Sequence, residues 1–174
     1  MHTVNIARLR EFLAPHKTIP HTPWRAAHRW QLSPLRVSIL FFGLAIFGLG
    51  DSLFIQGGIG NAPWTVLAQG VSLKTGWSIG ISTAIISIVV LLIWIPLKEK
   101  PGFGTLSNIV LIATFIEIGT HIFPKQHSLF VGIIFDLCGI ALVGAGSSLY
   151  ITCGLGPGPR DGAMTGIHQK TGVR

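Results

Sequence analysis

Four stretches of the chain are continuously apolar, and polar residues gather between them. The first runs from Val37 to Ile55 and is uncharged until Asp51. The second runs from Ser78 to Leu97 without a charge. The third, Gly104 to Phe123, is interrupted by Glu117 and His121, and the fourth, Ser128 to Ile151, by Asp136. Each is close to the roughly 20 residues that a helix needs to cross ~30 Å of hydrocarbon. Continuous runs point to helices, because barrel strands alternate apolar and polar side chains. The expected fold class is therefore all-α, a polytopic transmembrane helical bundle of four spans. Trp30, Trp77 and Trp94 fall at span ends, where indole rings favour the membrane interface.

Composition agrees. Of 174 residues, 49% are hydrophobic and 11% are charged, against roughly 25% charged in a soluble domain. Two cysteines exclude a disulfide framework. The net charge of +7 is concentrated at the beginning, which divides the chain into a basic tail, 1–34, and a transmembrane domain, 35–174. Ile6, Leu9, Phe12 and Leu13 could line one face of a short surface helix in that tail, before Pro15, Pro20 and Pro23 break it. No aromatic or glycine-rich signature accompanies the basic residues, so nucleic acid is not an expected partner; the lipid bilayer is.

Charge also orients the chain. With the N-terminus in the cytoplasm, the inside carries eleven basic residues: Arg8, Arg10, Lys17, Arg25, Arg29, Arg36, Lys98, Lys100, Arg160, Lys170 and Arg174. The outside carries two, Lys74 and Lys125. The positive-inside rule favours that orientation.

An offset of 96 residues relates two parts of the chain. Gly43, Ala45, Gly48, Gly50, Ser52 and Leu53 match Gly139, Ala141, Gly144, Gly146, Ser148 and Leu149. Gly58, Gly60, Pro63, Gly70, Lys74, Thr75 and Gly76 match Gly154, Gly156, Pro159, Gly166, Lys170, Thr171 and Gly172. The unit holds three spans, an odd number, so its second copy enters the membrane from the opposite side. An inverted-topology three-helix repeat follows, an architecture frequent among secondary transporters. The second copy is incomplete: the offset would carry it to about residue 217, whereas the chain has 174 residues. The expectation is a truncated member of its family with four of six helices. Such a chain should be poorly stable alone, or should pair with a copy of itself or a separately encoded remainder.

Two sets of residues are candidates for function. Asp51, Glu117 and Asp136 sit at similar depth in three spans, with no Lys or Arg read at that depth. Charges inside a span are costly and mark functional positions by default. Ser107, Thr114, Glu117 and His121 form a polar stripe on the third span that should face the interior, with Asn108 beside it. Three acids together would suit a cation or proton; singly, each would only tie helices to a nearby partner. Glu117, His121 and His127 are too scattered to read as a metal centre.

The second set lies in the loops. Gly60, Asn61 and Pro63, and Gly156, Pro159, Arg160 and Asp161, lead into short apolar segments. Proline in a first turn predicts that a short helix begins there. Its free N–H groups would favour an anion, helped by Arg160, or else the glycines simply make a tight turn. No P-loop lysine is present, so a nucleotide is not expected. No cofactor, metal or catalytic arrangement is read, and the chain is not expected to be an enzyme.

Gly60-Asn-Ala-Pro-Trp64, Gly102-Phe-Gly-Thr-Leu-Ser-Asn108 and Gly156-Pro-Gly-Pro-Arg-Asp-Gly162 resemble the YczE/YyaS/YitT group of bacterial membrane proteins over about residues 36 to 174. The resemblance implies a multi-pass protein of the bacterial cytoplasmic membrane and no particular chemistry. The leading functional reading is a small-solute or ion permease of unspecified substrate. The alternative is a non-transporting accessory or regulatory protein that supports another membrane complex.

Overall fold

A computed structural model describes residues 22–172. The amphipathic segment expected near Ile6–Leu13 lies outside the described residues. Among the described residues six helices follow one another: α1 Pro34–Gly57, α2 Pro63–Thr75, α3 Ile79–Leu97, α4 Phe103–Ile122, α5 Leu129–Thr152 and α6 Pro159–Thr171. Helices α1, α3, α4 and α5 are long and apolar enough to cross a membrane. These are the four stretches read from the sequence, and no strand is present among the described residues.

The other two helices are short. α2 and α6 have 13 residues each, about 20 Å at 1.5 Å per residue, too little to span. Their first and last residues are separated by the 96-residue offset, Pro63 to Pro159 and Thr75 to Thr171. Each begins on proline, whose fixed φ suits a first turn and whose missing N–H costs nothing there. Each ends on a glycine in the left-handed conformation, Gly76 and Gly172.

The centre of the fold is the pair α1 and α5, which share the most extensive contact. Glycines spaced by seven mesh between them. Gly43 lies against Gly146, Gly50 against Gly139, and Gly57 against Gly132. Numbers rise along one helix as they fall along the other, so the pair is antiparallel. A methyl group built on Gly50 would stand 3.0 Å from the carbonyl oxygen of Gly139, and one on Gly139 would stand 3.0 Å from that of Gly50. Only a missing Cβ lets two backbones approach this closely, the usual basis of helix association where lipid is as apolar as leucine.

Gly48 and Ser52 point elsewhere on α1. Gly48 packs against Ile112 and Phe115 of α4, and Ser52 against Gly119. Their equivalents on α5 behave differently: nothing approaches Gly144 within 4 Å, and Ser148 is exposed. Gly144 therefore serves no close helix approach among the described residues, unlike its offset partner Gly48. Both serines make the same bond to their own helix, Ser52 to Leu49 O and Ser148 to Ala145 O.

Helix α3 packs on α4 and α6, and α2 packs on α3. Trp94 is the anchor there, only 1% exposed, with its indole N–H donating to Pro159 O at 2.9 Å. Gly162 abuts the same ring, and a methyl group there would collide with it. Trp94 thus fixes the start of α6 rather than sitting at an interface as expected. Trp94→Phe should lower stability by about 2 kcal/mol, through the lost ring area and an unpaired carbonyl. Thermal unfolding in mild detergent checks it; an unchanged midpoint would remove Trp94 as the anchor.

Residues 22–33, placed in the tail by the sequence, strap across one end of the bundle. Ala26 N–H donates to Cys153 O at 2.9 Å, and Trp24 indole N–H donates to Thr152 Oγ1 at 3.2 Å. Arg36 Nε–H donates back to Trp24 O at 2.8 Å. Arg29 bonds Lys100 O and faces Glu99 at 3.8 Å.

Candidate functional site

The two short helices follow antiparallel neighbours and enter from opposite ends of the bundle, so their N-termini meet. Trp64, second residue of α2, lies under the guanidinium of Arg160, second residue of α6, with 5.7 Å from Arg160 Cζ to the ring centroid. These two residues are themselves related by the 96-residue offset. A cation over an indole face gains from the ring quadrupole, more so where water is scarce. No side chain caps the N-terminus of either helix, so both positive dipole ends face this region.

The loop before α6 is held from α4. Thr105 Oγ1 accepts from Gly102 N–H at 3.1 Å and its hydroxyl donates to Pro157 O at 2.8 Å. Gly104 N–H donates to Leu155 O at 2.8 Å. Gly154 and Gly156 take φ of 68° and 114°, values that a side chain would resist. Asn108, buried on α4, lies directly against Gly158.

Two acids act on Arg160, Asp51 and Asp161. Asp51 is 2% exposed and lies within electrostatic reach of Arg160. Asp161 also attracts Arg160 and accepts a hydrogen bond from Tyr150 Oη–H. Among the described residues, the ion pairs within 4 Å are Arg29–Glu99 and His121–Glu117. Asp51 and Arg160 therefore attract across a gap. Several buried oxygens are unpartnered: Asp51 Oδ2, Asn61 Oδ1, Thr65 Oγ1 and Thr83 Oγ1. Asn61 uses its amide N–H to bond Gln69 Oε1 at 3.0 Å.

The expected trio of Asp51, Glu117 and Asp136 finds three separate surroundings. Glu117 Oε2 accepts from Gly80 N–H at 2.9 Å and caps the first turn of α3. Asp136 lies against Gly57, near the end of α1. Of the three, Asp51 is the one that feels an arginine, because α6 carries Arg160 back toward the bundle from a segment read as a loop. Glu117 has His121 one turn along its own helix. The polar stripe is corrected as well. Thr114 and His121 are exposed, and each bonds only its own helix, Thr114 to Val110 O and His121 to Glu117 O. Thr105 and Asn108 are the polar residues of α4 that the structure buries near the loop.

Of the loop candidates, Asn61, Pro63, Pro159, Arg160 and Asp161 converge on the meeting point. Gly60 has nothing within 4 Å, and Gly156 shapes the turn. Sequence reasoning missed Trp64, Thr65, Thr83 and Tyr150. The 96-residue offset could have paired Trp64 with Arg160; nothing in the sequence flags the threonines.

Two cavities lie toward opposite ends of the bundle. One of about 380 Å³ is lined by Gln56, Gln69, Ser72 and Lys125. The other, about 480 Å³, is lined by Arg25, Arg29, Glu99, Asp161 and Gln169. A third, apolar groove of about 700 Å³ lies between α3 and α4, with Glu117 at one end.

Four apolar helices with buried charge between them define a multi-pass membrane protein. Residues 34–174 match the model of DUF6198, a family of unknown function, and the chain belongs to that family. It is 48% identical over 154 residues to an uncharacterized protein of Haemophilus influenzae, covering 88% of this chain and 71% of that one. It is 38% identical over 144 residues to the uncharacterized membrane protein YczE of Bacillus subtilis, covering 79% and 65%. It is 30% identical over 114 residues to the uncharacterized protein YyaS of the same organism, covering 63% and 56%. The chain thus spans 56% to 71% of the length of these relatives. No solved structure matches.

Proposed function

We propose that this protein is a permease for a small polar solute, built from two inverted copies of one unit, with its binding site where α2 and α6 meet. One observation carries the reading. Polar groups reach from the two cavities toward that meeting point: Gln69, at one cavity, bonds Asn61 just ahead of α2; Arg160 of α6 stands over Trp64 of α2; and Asp161, at the other cavity, accepts from Tyr150. Broken helices whose N-termini face a site at the midplane are the arrangement by which inverted-repeat transporters hold polar solutes. The antiparallel glycine pairing of α1 with α5 and the equal extents of α2 and α6 support the repeat. The apolar groove between α3 and α4 favours a second reading, a non-transporting accessory protein that holds a lipid or a neighbouring helix there. In either role the protein performs no covalent chemistry.

Counterflow in proteoliposomes separates the two. Vesicles loaded with a mixed pool of small polar metabolites should take up at least one labelled member of that pool, and Arg160→Gln should abolish the uptake. Uptake of none, with protein correctly inserted, would favour the accessory role.

The orientation belongs to the same proposal: a cytoplasmic N-terminus in the bacterial inner membrane, with the Gln56–Lys125 end outside. A periplasm-active reporter fused after Gly70 should be active, and one fused after Lys100 inactive. The reverse pattern would overturn it. The repeat also gives the bare face of α5 a partner. As α4 covers Gly48 and Ser52, a helix of α4's kind would cover Gly144 and Ser148.

A further inference from the structure

We infer that the groove between α3 and α4 binds one ethanolamine phospholipid, with an acyl chain in the slot and the headgroup ammonium at Glu117. A lipid held there is compatible with either role proposed above, permease or accessory protein. Shape is the first argument. The groove, about 700 Å³ in volume, has a floor of small residues and walls of branched ones. Gly80 and Ala113 are buried in the floor and Ala84 is half-buried, while Ile81, Ile88 and Val110 are exposed along the rims. A methyl group on Gly80 would lie 2.7 Å from Ala113 O, so the two backbones close the floor at that end. On α3 the lining residues run from Ser78 to Ile88, about 15 Å at 1.5 Å per residue. Ile88 is the middle residue of α3, so the groove covers one leaflet, half of the ~30 Å of hydrocarbon. That is the reach of one acyl chain. A transmembrane helix would instead need contact along the whole span, on small residues rather than between branched rims.

Charge complementarity is the second argument. Glu117 lines the groove at its Ser78 end, and its Oε2 accepts from Gly80 N–H at 2.9 Å. A carboxylate has about four acceptor sites; that bond fills one and leaves the charge in place. Among the described residues, the basic groups of this end are His121, His127, Lys74 and Lys125. His121 Nδ1 is 3.8 Å from Glu117 Oε1, beyond hydrogen-bond range, and lies 2.8 Å from the Glu117 carbonyl oxygen on an exposed side chain. Lys125 lines the separate cavity beside Gln56. Lys74 and His127 are exposed and outside the groove's lining. Asp136, the other acid toward this end, lies against Gly57 and not in the groove. A primary ammonium would bring three N–H donors and one positive charge to Glu117. An anionic headgroup would set like charge beside it. The phosphate and ammonium of an ethanolamine lipid together add no net charge.

The test uses the purified 174-residue protein, stripped of lipid in mild detergent and offered phosphatidylethanolamine or phosphatidylglycerol in mixed micelles. Native mass spectrometry counts the retained lipid, and thermal unfolding reads its effect. One phosphatidylethanolamine should stay on each chain and raise the midpoint saturably, with affinity about tenfold above that for phosphatidylglycerol. Glu117→Gln keeps an acceptor for Gly80 N–H and removes the charge. It should leave the lipid-free midpoint nearly unchanged and bring the two lipids to equal affinity. Ala84→Phe should fill the slot and abolish retention of both lipids. Equal affinity of the unaltered protein for the two lipids, or a preference that survives Glu117→Gln, would overturn the proposal. So would lipid retained by folded Ala84→Phe; if that variant does not fold, the Glu117→Gln comparison decides. A dimer in the same micelles that Ala84→Phe breaks would overturn it in favour of a helix from a second copy. Lipid retention without counterflow would leave this site standing and remove the permease reading instead.

Discussion

Gly50→Leu and Gly139→Leu should each prevent α1 from docking on α5 and yield protein that aggregates on extraction into mild detergent. Their side chains would project at a carbonyl oxygen already 3.0 Å from the position of a first methyl group. Backbone cannot step aside as a flexible side chain can, so the whole helix pair must separate. Overpacking of this kind costs about 3 kcal/mol even where neighbours relax, and here the close approach is itself the source of association. Alanine at either position should be milder, with a folded protein of reduced thermal midpoint. Gly144→Leu is the internal control: the residue is offset-equivalent to Gly48 but stands in open space, and its midpoint should not move in the isolated chain. Size-exclusion profiles and thermal midpoints read all three. Equal tolerance at Gly50 and Gly144 would refute the seven-residue glycine mesh as the core of the fold.

Arg160→Gln should lower stability by about 3 kcal/mol, since it strips the buried Asp51 of its cation. Asp51→Asn should cost less, about 1 kcal/mol, because Arg160 keeps its attraction to Asp161. The double variant should recover most of the loss seen with Arg160→Gln alone. A double-mutant cycle isolates the coupling, and unfolding titrations in mixed micelles would provide the three differences. Additive losses would mean that the two charges do not sense each other. Lysine is not an adequate replacement for Arg160, because a compact ammonium stacks on the Trp64 ring less well than a planar guanidinium does.

The site was half legible. Proline and glycine placed the beginnings of α2 and α6 at Pro63 and Pro159, and the offset gave them equal length. Arg160 was read as part of a loop and counted among inside charges, so no cation was expected beside Asp51. The reason is physical. Hydropathy sums local transfer preferences, and a polar 13-residue helix carries no membrane signal until larger helices enclose it. Depth along a span was a poor guide for the same reason. Glu117 and Asp136 share a depth with Asp51, but rotation about each helix decides what an acid meets, and that rotation is set by packing. Glu117 turns to the first turn of α3, and Asp136 to the end of α1.

The sequence by itself determined that the chain is helical and membrane-spanning, where the four long helices lie, and that identities recur at an offset of 96 residues. Those properties follow from sums and periods along one dimension: apolar length against bilayer thickness, and identities at one offset. Tertiary structure alone decided that Gly50 faces Gly139 while Gly144 faces nothing, that Trp94 is buried under α6, and that Trp64 and Arg160 meet. Each is a contact between residues at least 65 positions apart, fixed by how closely backbones can approach and by which partner a buried polar group can reach.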